Sequence, residues 1–384
     1  MKMTTATRLE SVKEYYFSKK LREVAGLVQA GKPVLNMGIG SPDLPPHPSV
    51  VEALQRGLSH PKAHMYQSYQ GLPALREAMA AFYKRNYDVA LDPASDILPL
   101  MGSKEGIMHI SLAFLNKGDE VLIPNPGYPT YNSVTQLVEA SPVFYDLAAD
   151  NDWQPDFAKL EAMDTAKIKL MWLNYPHMPT GANAQTASFT RLIKWAKENE
   201  VLLINDNPYS FILNDHPQSI LSLPGASDVC MELNSLSKSF NMAGWRVGIL
   251  AGNQANIQSV LKVKSNMDSG MFYGIQQGAI AALNTPNDWF DELNAVYKRR
   301  RALVEELAGL MQATPDKNSV GMFVWAKLND STLSSEAFID KVLYEKDIFI
   351  TPGTIFGSQG EGYIRFSLCV TEDQIQTAIN RINT

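Results

Sequence analysis

The sequence predicts an α/β protein in which a mostly parallel sheet is wrapped in helices and a smaller α+β domain completes the chain. Short apolar, β-rich runs alternate with helical patterns through the middle of the sequence, which is typical of a mostly parallel sheet covered on both faces. The 384 residues, 45% of them hydrophobic, also exceed the roughly 250 to 300 residues at which a single core stops growing. Two domains are therefore expected.

Seven runs in the middle of the chain have the composition of buried strands. They are DILPLM, EVLIPNP, VFYDL, IKLMWLN, VLLIND, VCMELNS and RVGILAG. Periodic helical stretches lie between most of them. We assign these runs and their helices, residues 47–284, to a large α/β domain.

After about residue 285 the pattern changes to that of a smaller α+β domain. A long helix is predicted from about Asn287 to Met311, followed by GMFVWAKL, a helix near Ser335 to Tyr344, the strands IFITP and YIRFSL, and a last helix. The apolar face predicted for the long helix consists of Trp289, Leu293, Val296, Leu303, Leu307 and Leu310. The first 45 residues, a helix from about Thr7 to Gln29 and then VLNMGIGSPDLPP, do not begin the alternation. We expect residues 1–46 and 285–384 to form this domain together.

Composition and charge exclude several classes of function. The net charge of −6, with basic residues scattered along the chain, gives no electrostatic footprint for nucleic acid or an anionic membrane. We find neither a signal peptide nor a run of about 18 apolar residues that could span a bilayer. Cys230 and Cys369 are too few for a disulfide framework, and the histidines show no metal-binding spacing. We expect a soluble cytoplasmic protein without a metal.

Unusual polar segments follow five of the seven predicted strands. Since ligands bind beyond the carboxyl ends of strands in open α/β sheets, these segments predict the functional site. DILPLM leads into Gly102-Ser103-Lys104-Glu105-Gly106, which opens a helix and presents unpaired amides to an anion such as a phosphate. EVLIP leads into NPGYPTY, a rigid turn that can hold the ring of Tyr128 as a stacking surface.

Three further segments follow strands, and two of them carry charged residues: an aspartate in one, and a lysine and an arginine in the other. IKLMWL is followed by NYPHMPTG, VLLIN by Asp206-Asn207-Pro208-Tyr209, and VCMELN by SLSKSFNMAGWRVG. A lysine among other cations has a lowered pKa and can form an imine with an aldehyde. A buried aspartate can keep a pyridine nitrogen protonated, which makes the ring an electron sink. With a phosphate site on the same edge, these groups describe pyridoxal phosphate.

In this order the motifs resemble those of fold type I pyridoxal-phosphate aminotransferases of class I/II, from MGIGSPD to EGYIRFSL. The resemblance implies that Lys238 is the Schiff-base lysine, which later moves the proton between the substrate Cα and the cofactor C4′. It implies that Asp206 pairs with the pyridinium, that Tyr209 donates to the phenolic O3′, and that Tyr128 stacks on the cofactor ring.

The resemblance also implies the phosphate site and a dimer. Arg246, Ser235 and Ser237 correspond to residues that hold the phosphate together with the amides of Ser103 and Lys104. Tyr66 corresponds to a tyrosine that reaches the phosphate of the neighbouring subunit. The active unit is therefore expected to be a homodimer.

Two further positions correspond to the family's site for the substrate carboxylate. Arg365 in GYIRFSL resembles the arginine that binds the α-carboxylate through two parallel hydrogen bonds. Gly40 in GIGSPD resembles the backbone that closes over this carboxylate.

One position departs from the family's pattern. The family's loop commonly reads NYPNNPTG, and its asparagine before Pro-Thr-Gly donates a hydrogen bond to O3′. Here the loop reads NYPHMPTG, and Met178 cannot donate. We therefore expect the imine to keep its proton to higher pH than in relatives with asparagine. Whether His177 turns inward and compensates is left open.

The leading function is amino-group transfer between an L-α-amino acid and a 2-oxo acid, with 2-oxoglutarate as the expected acceptor, in two half-reactions. The alternatives are a β-elimination (C-S) lyase or a decarboxylase on the same fold, and a binding module that senses an amino acid or the cofactor. A nicotinamide enzyme is disfavoured because GSKEG replaces G-x-G-x-x-G after the first strand.

The donor amino acid stays open. KVKSNMDSGMFYG resembles a subset that includes aspartate and diaminopimelate aminotransferases, and its Lys264 is either a second substrate-binding cation or a solvated lysine. The segments EYYFSKK and MFYG could equally line an apolar pocket for methionine or aromatic substrates.

Overall fold

The computed structural model describes residues 3–10, 16–286 and 288–384. The helices in these ranges are α1 (Tyr16–Gln29), α2 (Pro48–Leu58), α3 (Pro73–Tyr87), α4 (Ser103–Phe114), α5 (Pro129–Leu137), α6 (Phe157–Glu161), α7 (Thr186–Asn199), α8 (Ala226–Val229), α9 (Leu236–Ser239), α10 (Gln254–Lys264), α11 (Tyr273–Leu283), α12 (Asp288–Leu310), α13 (Ser335–Lys346) and α14 (Glu372–Asn383). The strands are β1 (Leu35–Asn36), β2 (Ile97–Leu100), β3 (Glu120–Asn125), β4 (Ser141–Asp146), β5 (Ile168–Leu173), β6 (Leu202–Asp206), β7 (Cys230–Ser235), β8 (Gly248–Gly252), β9 (Ala313–Pro315), β10 (Phe323–Leu328), β11 (Ile348–Phe349), β12 (Thr351–Pro352) and β13 (Tyr363–Ser367).

The seven predicted central runs form one sheet within the described residues. Its strand order is β2-β8-β7-β6-β5-β3-β4. The pairs from β7 to β4 are parallel, whereas β8 runs antiparallel to both of its neighbours, β2 and β7. Because β2 and β7 therefore point the same way, all strands except β8 end at the same edge of the sheet. The predicted α/β fold with a mostly parallel sheet is confirmed.

The central strands are buried on both faces, as their continuous apolar runs predict. Along β5, Leu170 and Trp172 join one hydrophobic cluster, while Met171 and Leu173 join another on the opposite face. The second cluster also includes Tyr297 of α12 and therefore extends from the sheet into the C-terminal part of the chain.

A four-stranded antiparallel sheet, ordered β12-β13-β10-β9, forms in the C-terminal part. The N-terminal segment joins this part through β1, which pairs in parallel with β11 through Leu35↔Ile348 and Asn36↔Phe349. Sequence periodicity did not predict β1 or β9, because strands of two or three residues are too short to show a period.

The predictions for the N-terminal helix and for the long helix near residue 287 need correction. Thr7–Leu9 forms a 3₁₀ turn and α1 begins at Tyr16, while residues 11–15, and Asn287 at the predicted start of the long helix, lie outside the described residues. In α12 the buried face includes Tyr297, Arg300 and Val304. Leu310, which was predicted to lie on this face, is exposed.

No helix in the described part of the chain combines the length and the apolar character needed to cross a bilayer.

Candidate active site

A cavity of about 350 Å³ opens beyond the carboxyl ends of the parallel strands. It is lined by all but one of the predicted site residues: Gly40, Ser103, Lys104, Tyr128, Met178, Asp206, Tyr209, Ser235, Ser237, Lys238, Arg246 and Arg365. The exception is Tyr66. The lining residues between Ser103 and Arg246 are brought together by the common edge of the central sheet. Gly40 comes from the N-terminal segment and Arg365 from β13 of the second sheet.

Lys238 enters the cavity from α9, directly after β7. Its Nζ donates a hydrogen bond to the carbonyl oxygen of Gly40 at 2.5 Å. Burial lowers the pKa of Lys238, and the positive charges of Arg365 and Arg246 act in the same direction. A lysine with a lowered pKa is neutral more often, and only the neutral amine can attack an aldehyde or accept a proton.

Asp206 ends β6 at the base of the cavity and is buried. Its Oδ2 accepts a hydrogen bond from the hydroxyl of Tyr131 at 2.9 Å, and its Oδ1 has no hydrogen-bond partner. Burial raises the pKa of Asp206 to about 7. An unpartnered carboxylate oxygen beside a ligand cavity fits a cationic N–H group of the ligand, since such a group would stabilise the ionised form.

The turn between β2 and α4 forms an anion-binding end of the cavity. Gly102 has a φ of +90°, and a Cβ there would collide with the guanidinium of Arg246. The glycine thus lets Arg246 approach the N-terminus of α4, where the first amides of a helix point outward without a partner from a preceding turn. Arg246 Nη1 lies 3.5 Å from Ser237 Oγ, and Ser235 Oγ lies 2.8 Å from the same hydroxyl. A guanidinium, two hydroxyls and a helix N-terminus together fit a phosphate dianion.

Arg365 projects from β13 at the opposite end of the cavity. Its Nη2 donates to the carbonyl oxygen of Gly38 at 2.9 Å. Its guanidinium carbon lies 3.9 Å from the ring centre of Phe323 and 4.7 Å from that of Phe356. These rings hold the planar guanidinium at the cavity wall, where it can bind a carboxylate.

The loop with Gly38 and Gly40 is fixed by an ion pair that the sequence did not reveal. Both Nη atoms of Arg300 donate to the carboxylate of Asp43, at 2.7 and 2.8 Å. A Cβ on Gly40 would overlap the ring of Phe323, so only glycine fits there.

The loop of Met178 offers the cavity no donor from His177. His177 is buried outside the cavity, and its Nδ1 lies 2.8 Å from Thr180 Oγ1. Burial lowers the pKa of His177 to about 3. Met178 itself lines the cavity, with Sδ 3.4 Å from Arg365 Nη1. The question left open by the sequence is answered: His177 does not turn inward.

Tyr66 and Lys264 lie apart from the cavity. The side chain of Tyr66 is 91% exposed and lies beside Met65 and Phe272. Lys264 is buried and its Nζ lies 2.6 Å from Asp268 Oδ2, so the interpretation as a solvated lysine is wrong, and Lys264 does not line the cavity of its own chain.

One cluster of potential metal ligands occurs among the described residues. Ligand atoms of Glu105, His109 and Asp268 lie within 4.8 Å of one another. Lys264 Nζ lies 2.6 Å from Asp268 Oδ2, Glu105 Oε2 accepts from the amide of Met101 at 2.6 Å, and Glu105 Oε1 lies 3.2 Å from His109 Nε2.

Further residues at the site were not predicted from the sequence. Tyr131 supports Asp206, Asn174 Nδ2 donates to the backbone oxygen of Asp206 at 2.6 Å, and Phe323 and Phe356 line the cavity. Asn174 could have been found, because it follows β5 as Asp206 ends β6. Phe323 and Phe356 carry no such signal, since an apolar residue near a strand or helix usually belongs to the core.

Phe17 lies in the segment EYYFSKK, which was expected as a possible lining of an apolar pocket, and it does line the cavity, whereas the segment MFYG does not.

Comparisons with known proteins agree with this geometry. The family model of "Aminotransferase class I and II" matches residues 32–382. The chain is 38% identical over 377 residues to an LL-diaminopimelate aminotransferase of Aquifex aeolicus, covering 98% of this chain and 97% of the relative. Substrate-bound BacF of Bacillus subtilis superposes with a TM-score of 0.94 at 35% identity, covering 99% of this chain and 98% of BacF.

An aromatic aminotransferase of Pyrococcus horikoshii superposes with a TM-score of 0.86 at 28% identity, over 94% of this chain and 97% of the other. The unpartnered oxygen of Asp206, the phosphate-binding turn and the amine of Lys238 with its lowered pKa fit three groups of one cofactor: the ring nitrogen, the phosphate and the aldehyde. The chain belongs to the class I and II aminotransferases, the fold type I family whose cofactor is pyridoxal 5′-phosphate.

Proposed function

We propose that this aminotransferase moves an amino group from an L-α-amino acid to a 2-oxo acid, with 2-oxoglutarate as acceptor, in two half-reactions. The observation that carries the proposal is that the amine of Lys238, with its lowered pKa, and the unpartnered Oδ1 of Asp206 belong to one cavity with Arg365. The relatives' names support transfer, and no observation favours the β-elimination alternative.

Arg365 orients the amino acid in this proposal. Its guanidinium binds the α-carboxylate, and the loop of Gly40 closes over that carboxylate. Support comes from the two aromatic rings around the guanidinium and from the ion pair that fixes the loop. Fixing the carboxylate decides which bond at Cα points at the reactive face, and therefore favours proton removal over loss of the carboxylate.

Lys238 moves the proton. When bound, pyridoxal 5′-phosphate supplies an electron-withdrawing ring that stabilises negative charge at the substrate Cα. In this role the Lys238 amine would accept the Cα proton and deliver it to the carbon on the other side of the amino nitrogen, two bonds from Cα. The lowered pKa of Lys238 supports this role, because a fully protonated ammonium could not accept the proton.

Other residues would hold the cofactor. Asp206 would pair with the ring nitrogen, and the stacking of Tyr131 on Trp172, with ring centres 4.9 Å apart, fixes the hydroxyl that orients Asp206. Tyr209 would donate to the phenolic oxygen; burial raises the pKa of Tyr209, so its hydroxyl keeps the proton. Tyr128, which lines the cavity, would supply a ring that stacks on the cofactor.

The phosphate is held by the group identified at the first turn of α4. Arg246 supplies the charge and Ser235 and Ser237 supply hydroxyls, while the amides of Ser103 and Lys104 complete the site. This assignment is supported by Gly102, whose lack of a side chain makes room for the guanidinium.

Incubation of the holoenzyme with an amino donor alone tests the function. We expect the absorption of the cofactor to change to that of its aminated form, and 2-oxoglutarate to restore the original absorption while glutamate is formed. Release of pyruvate and ammonia from an amino acid with a β leaving group, without this change, would instead support the lyase alternative.

Replacement of Met178 by asparagine is expected to lower the spectroscopic pKa of the lysine-bound cofactor by about one unit. A new amide donor would stabilise the phenolate, and a hydrogen bond to a charged group contributes about 1.5 to 3 kcal/mol. Absorbance titration measures this pKa. Met178→Leu, which has a similar volume and no donor, is the control and should leave the pKa unchanged. A pKa that stays constant or rises in Met178→Asn would contradict the hypothesis.

We also propose that the active unit is a homodimer in which Tyr66 reaches the phosphate bound by the partner subunit. The proposal is supported by the exposed position of Tyr66 beside the exposed apolar side chains of Met65 and Phe272, since a contiguous exposed apolar patch often marks an interface with a partner.

Hybrid dimers test the role of Tyr66. Tyr66→Phe should weaken cofactor affinity about tenfold through loss of one hydrogen bond to a charged group. The hybrid dimer contains one Tyr66→Phe chain and one Lys238→Ala chain and is purified with two tags. If Tyr66 acts within its own chain, neither site has both native residues. If Tyr66 acts across the interface, the site with native Lys238 receives the native Tyr66 of the other chain. Half of the hybrid's sites should then bind the cofactor with native affinity. Uniformly weak binding would contradict the proposal.

We propose, finally, that residues 47–284 form the cofactor-binding domain and that residues 1–46 and 285–384 form the smaller domain. The separation of the seven-stranded sheet from the sheet of β9, β10, β12 and β13, and the pairing of β1 with β11, support this division.

A further inference from the structure

Beside the phosphate-binding turn lies a cluster of ionisable side chains that the proposed function does not use. Ligand atoms of Glu105, His109 and Asp268 lie within 4.8 Å of one another, and the Nζ of Lys264 lies 2.6 Å from Asp268 Oδ2. We infer that Glu105 of this cluster is a positioning residue that holds the phosphate-binding turn in shape. The inference rests on the proposed function, since that function assigns the turn to the cofactor phosphate.

The side chain of Glu105 closes the turn between β2 and α4. Its Oε2 accepts a hydrogen bond from the amide of Met101 at 2.6 Å, and its own amide donates to the carbonyl oxygen of Gly102 at 3.2 Å. These hydrogen bonds span the residues whose amides are proposed to bind the phosphate, Ser103 and Lys104. The shape of the binding turn therefore depends on the side chain of Glu105.

The turn needs this support because its N-cap residue is a glycine. Gly102 has no side chain that could accept from the first amides of α4. Glycine is required there, since a Cβ would collide with the guanidinium of Arg246. In a capping box a glutamate at the third helical position reaches back to the N-cap amide. Glu105 is the third residue of α4 and reaches one residue further, to Met101.

The other oxygen of Glu105 is held as well. Oε1 lies 3.2 Å from Nε2 of His109, one helical turn later, and the side chain of Glu105 is only 18% exposed. Lys264, the last residue of α10, and Asp268 complete the cluster. These neighbours keep the carboxylate of Glu105 from turning into solvent, so Oε2 stays at the amide of Met101.

The charge of Glu105 does not help the phosphate to bind. A carboxylate interacts favourably with a helix N-terminus, but it repels a dianion that is bound at the same N-terminus. Support of the turn needs only an acceptor oxygen at the length of a glutamate side chain, and an amide oxygen is such an acceptor. The charge and the length of this side chain can therefore be separated by substitution.

Titration of the cofactor-free enzyme with pyridoxal 5′-phosphate and with pyridoxal, which lacks the phosphate, measures what the turn contributes. Glu105→Ala should raise the Kd of pyridoxal 5′-phosphate about tenfold and that of pyridoxal less than about twofold. Glu105→Gln keeps the acceptor and loses the charge, so it should bind pyridoxal 5′-phosphate at least as tightly as the native enzyme. Glu105→Asp keeps the charge but is too short to reach Met101, and it should weaken binding as Glu105→Ala does.

Glu372→Ala, which removes a first-turn glutamate of α14 outside the cavity, is the matched control and should change neither Kd. Should Glu105→Ala not fold, the comparison of Glu105→Gln with Glu105→Asp still decides the question. Equal losses of affinity for both ligands, no loss in Glu105→Ala, or a loss in Glu105→Gln as large as in Glu105→Asp would overturn the inference. Failure of an amino donor to aminate the cofactor of the native enzyme would instead overturn the proposed function, and the affinities would still report on Glu105.

Discussion

Replacement of Lys238 by alanine is expected to lower kcat for amino transfer by about 10⁴-fold. The same change should remove the absorption band of the lysine-bound cofactor. Lys238 supplies two functions at one atom, the covalent attachment and the proton transfer at Cα. The other lysine that lines the cavity in the described part of the chain, Lys104, lies in the first turn of α4. Steady-state kinetics and the visible spectrum of the purified variant measure the two losses.

Two controls separate this effect from a general loss of structure. Lys262→Ala removes an exposed lysine of α10 and should leave both kcat and the spectrum unchanged. Lys238→Arg keeps a positive charge but cannot form the linkage, so it should lose the band as the alanine variant does. A Lys238→Ala enzyme that kept the band would place the attachment at another lysine and refute the assignment.

Positions at strand ends explain why much of the site was predictable from the sequence. Asp206 and Lys238 follow buried apolar runs directly, and parallel strands bring their carboxyl ends to one edge. The prediction therefore needed only the type of sheet and the order of residues. Arg365 was assigned by its resemblance to a family motif, since an arginine within a strand carries no such signal by itself.

Residues whose role depends on a distant partner could not be predicted. Arg300 belongs to the basic run KRRR and reads as a surface charge, but it is buried because it pairs with Asp43, 257 positions earlier. Lys264 is the last residue of α10 and its partner Asp268 lies four positions later, beyond the end of the helix. The spacing alone therefore predicts neither their pairing nor their burial. The local sequence pattern shows how residues are spaced along one helix or strand, whereas the burial of a residue depends on the other elements that pack against it.

Replacement of Asp206 by asparagine is expected to lower kcat about 10³-fold, because a neutral amide cannot stabilise a protonated ring nitrogen. Asparagine has nearly the same shape, and its side-chain oxygen can still accept the hydrogen bond from Tyr131. The cavity should therefore persist and the cofactor should still bind through its phosphate. Kinetics and the absorption spectrum of the variant measure the loss.

The same substitution is expected to stabilise the cofactor-free protein above neutral pH. Burial raises the pKa of Asp206 from 3.8 to about 7 in the folded chain. Between about pH 4 and 7 the folded state thus holds a proton that the unfolded state has released, so the stability contributed by this group falls as the pH rises through that window. Asp206→Asn removes this dependence.

Thermal unfolding of cofactor-free native and variant proteins between pH 4 and 8 measures the difference. Glu232, whose pKa burial also raises to about 7, and His177, whose pKa burial lowers to about 3, are present in both proteins and cancel in the difference. The two unfolding temperatures should nearly coincide at pH 4, and the variant should be more stable by a few kcal/mol at pH 8.

Asp206→Asn is thus expected to lower activity and to raise the stability of the cofactor-free chain. These opposite effects distinguish a cofactor-binding carboxylate from a structural one. A structural carboxylate has its partners within the protein, so its removal would destabilise the cofactor-free chain and reduce activity only through that loss. Asp206 instead keeps Oδ1 buried without a partner, an unfavourable arrangement until a cation from the cofactor reaches it. Added cofactor should accordingly raise the stability of the native protein at pH 8 more than that of Asp206→Asn. A variant that is less stable than the native chain without cofactor at pH 8 would assign Asp206 to the fold and leave the ring nitrogen without its proposed counter-ion.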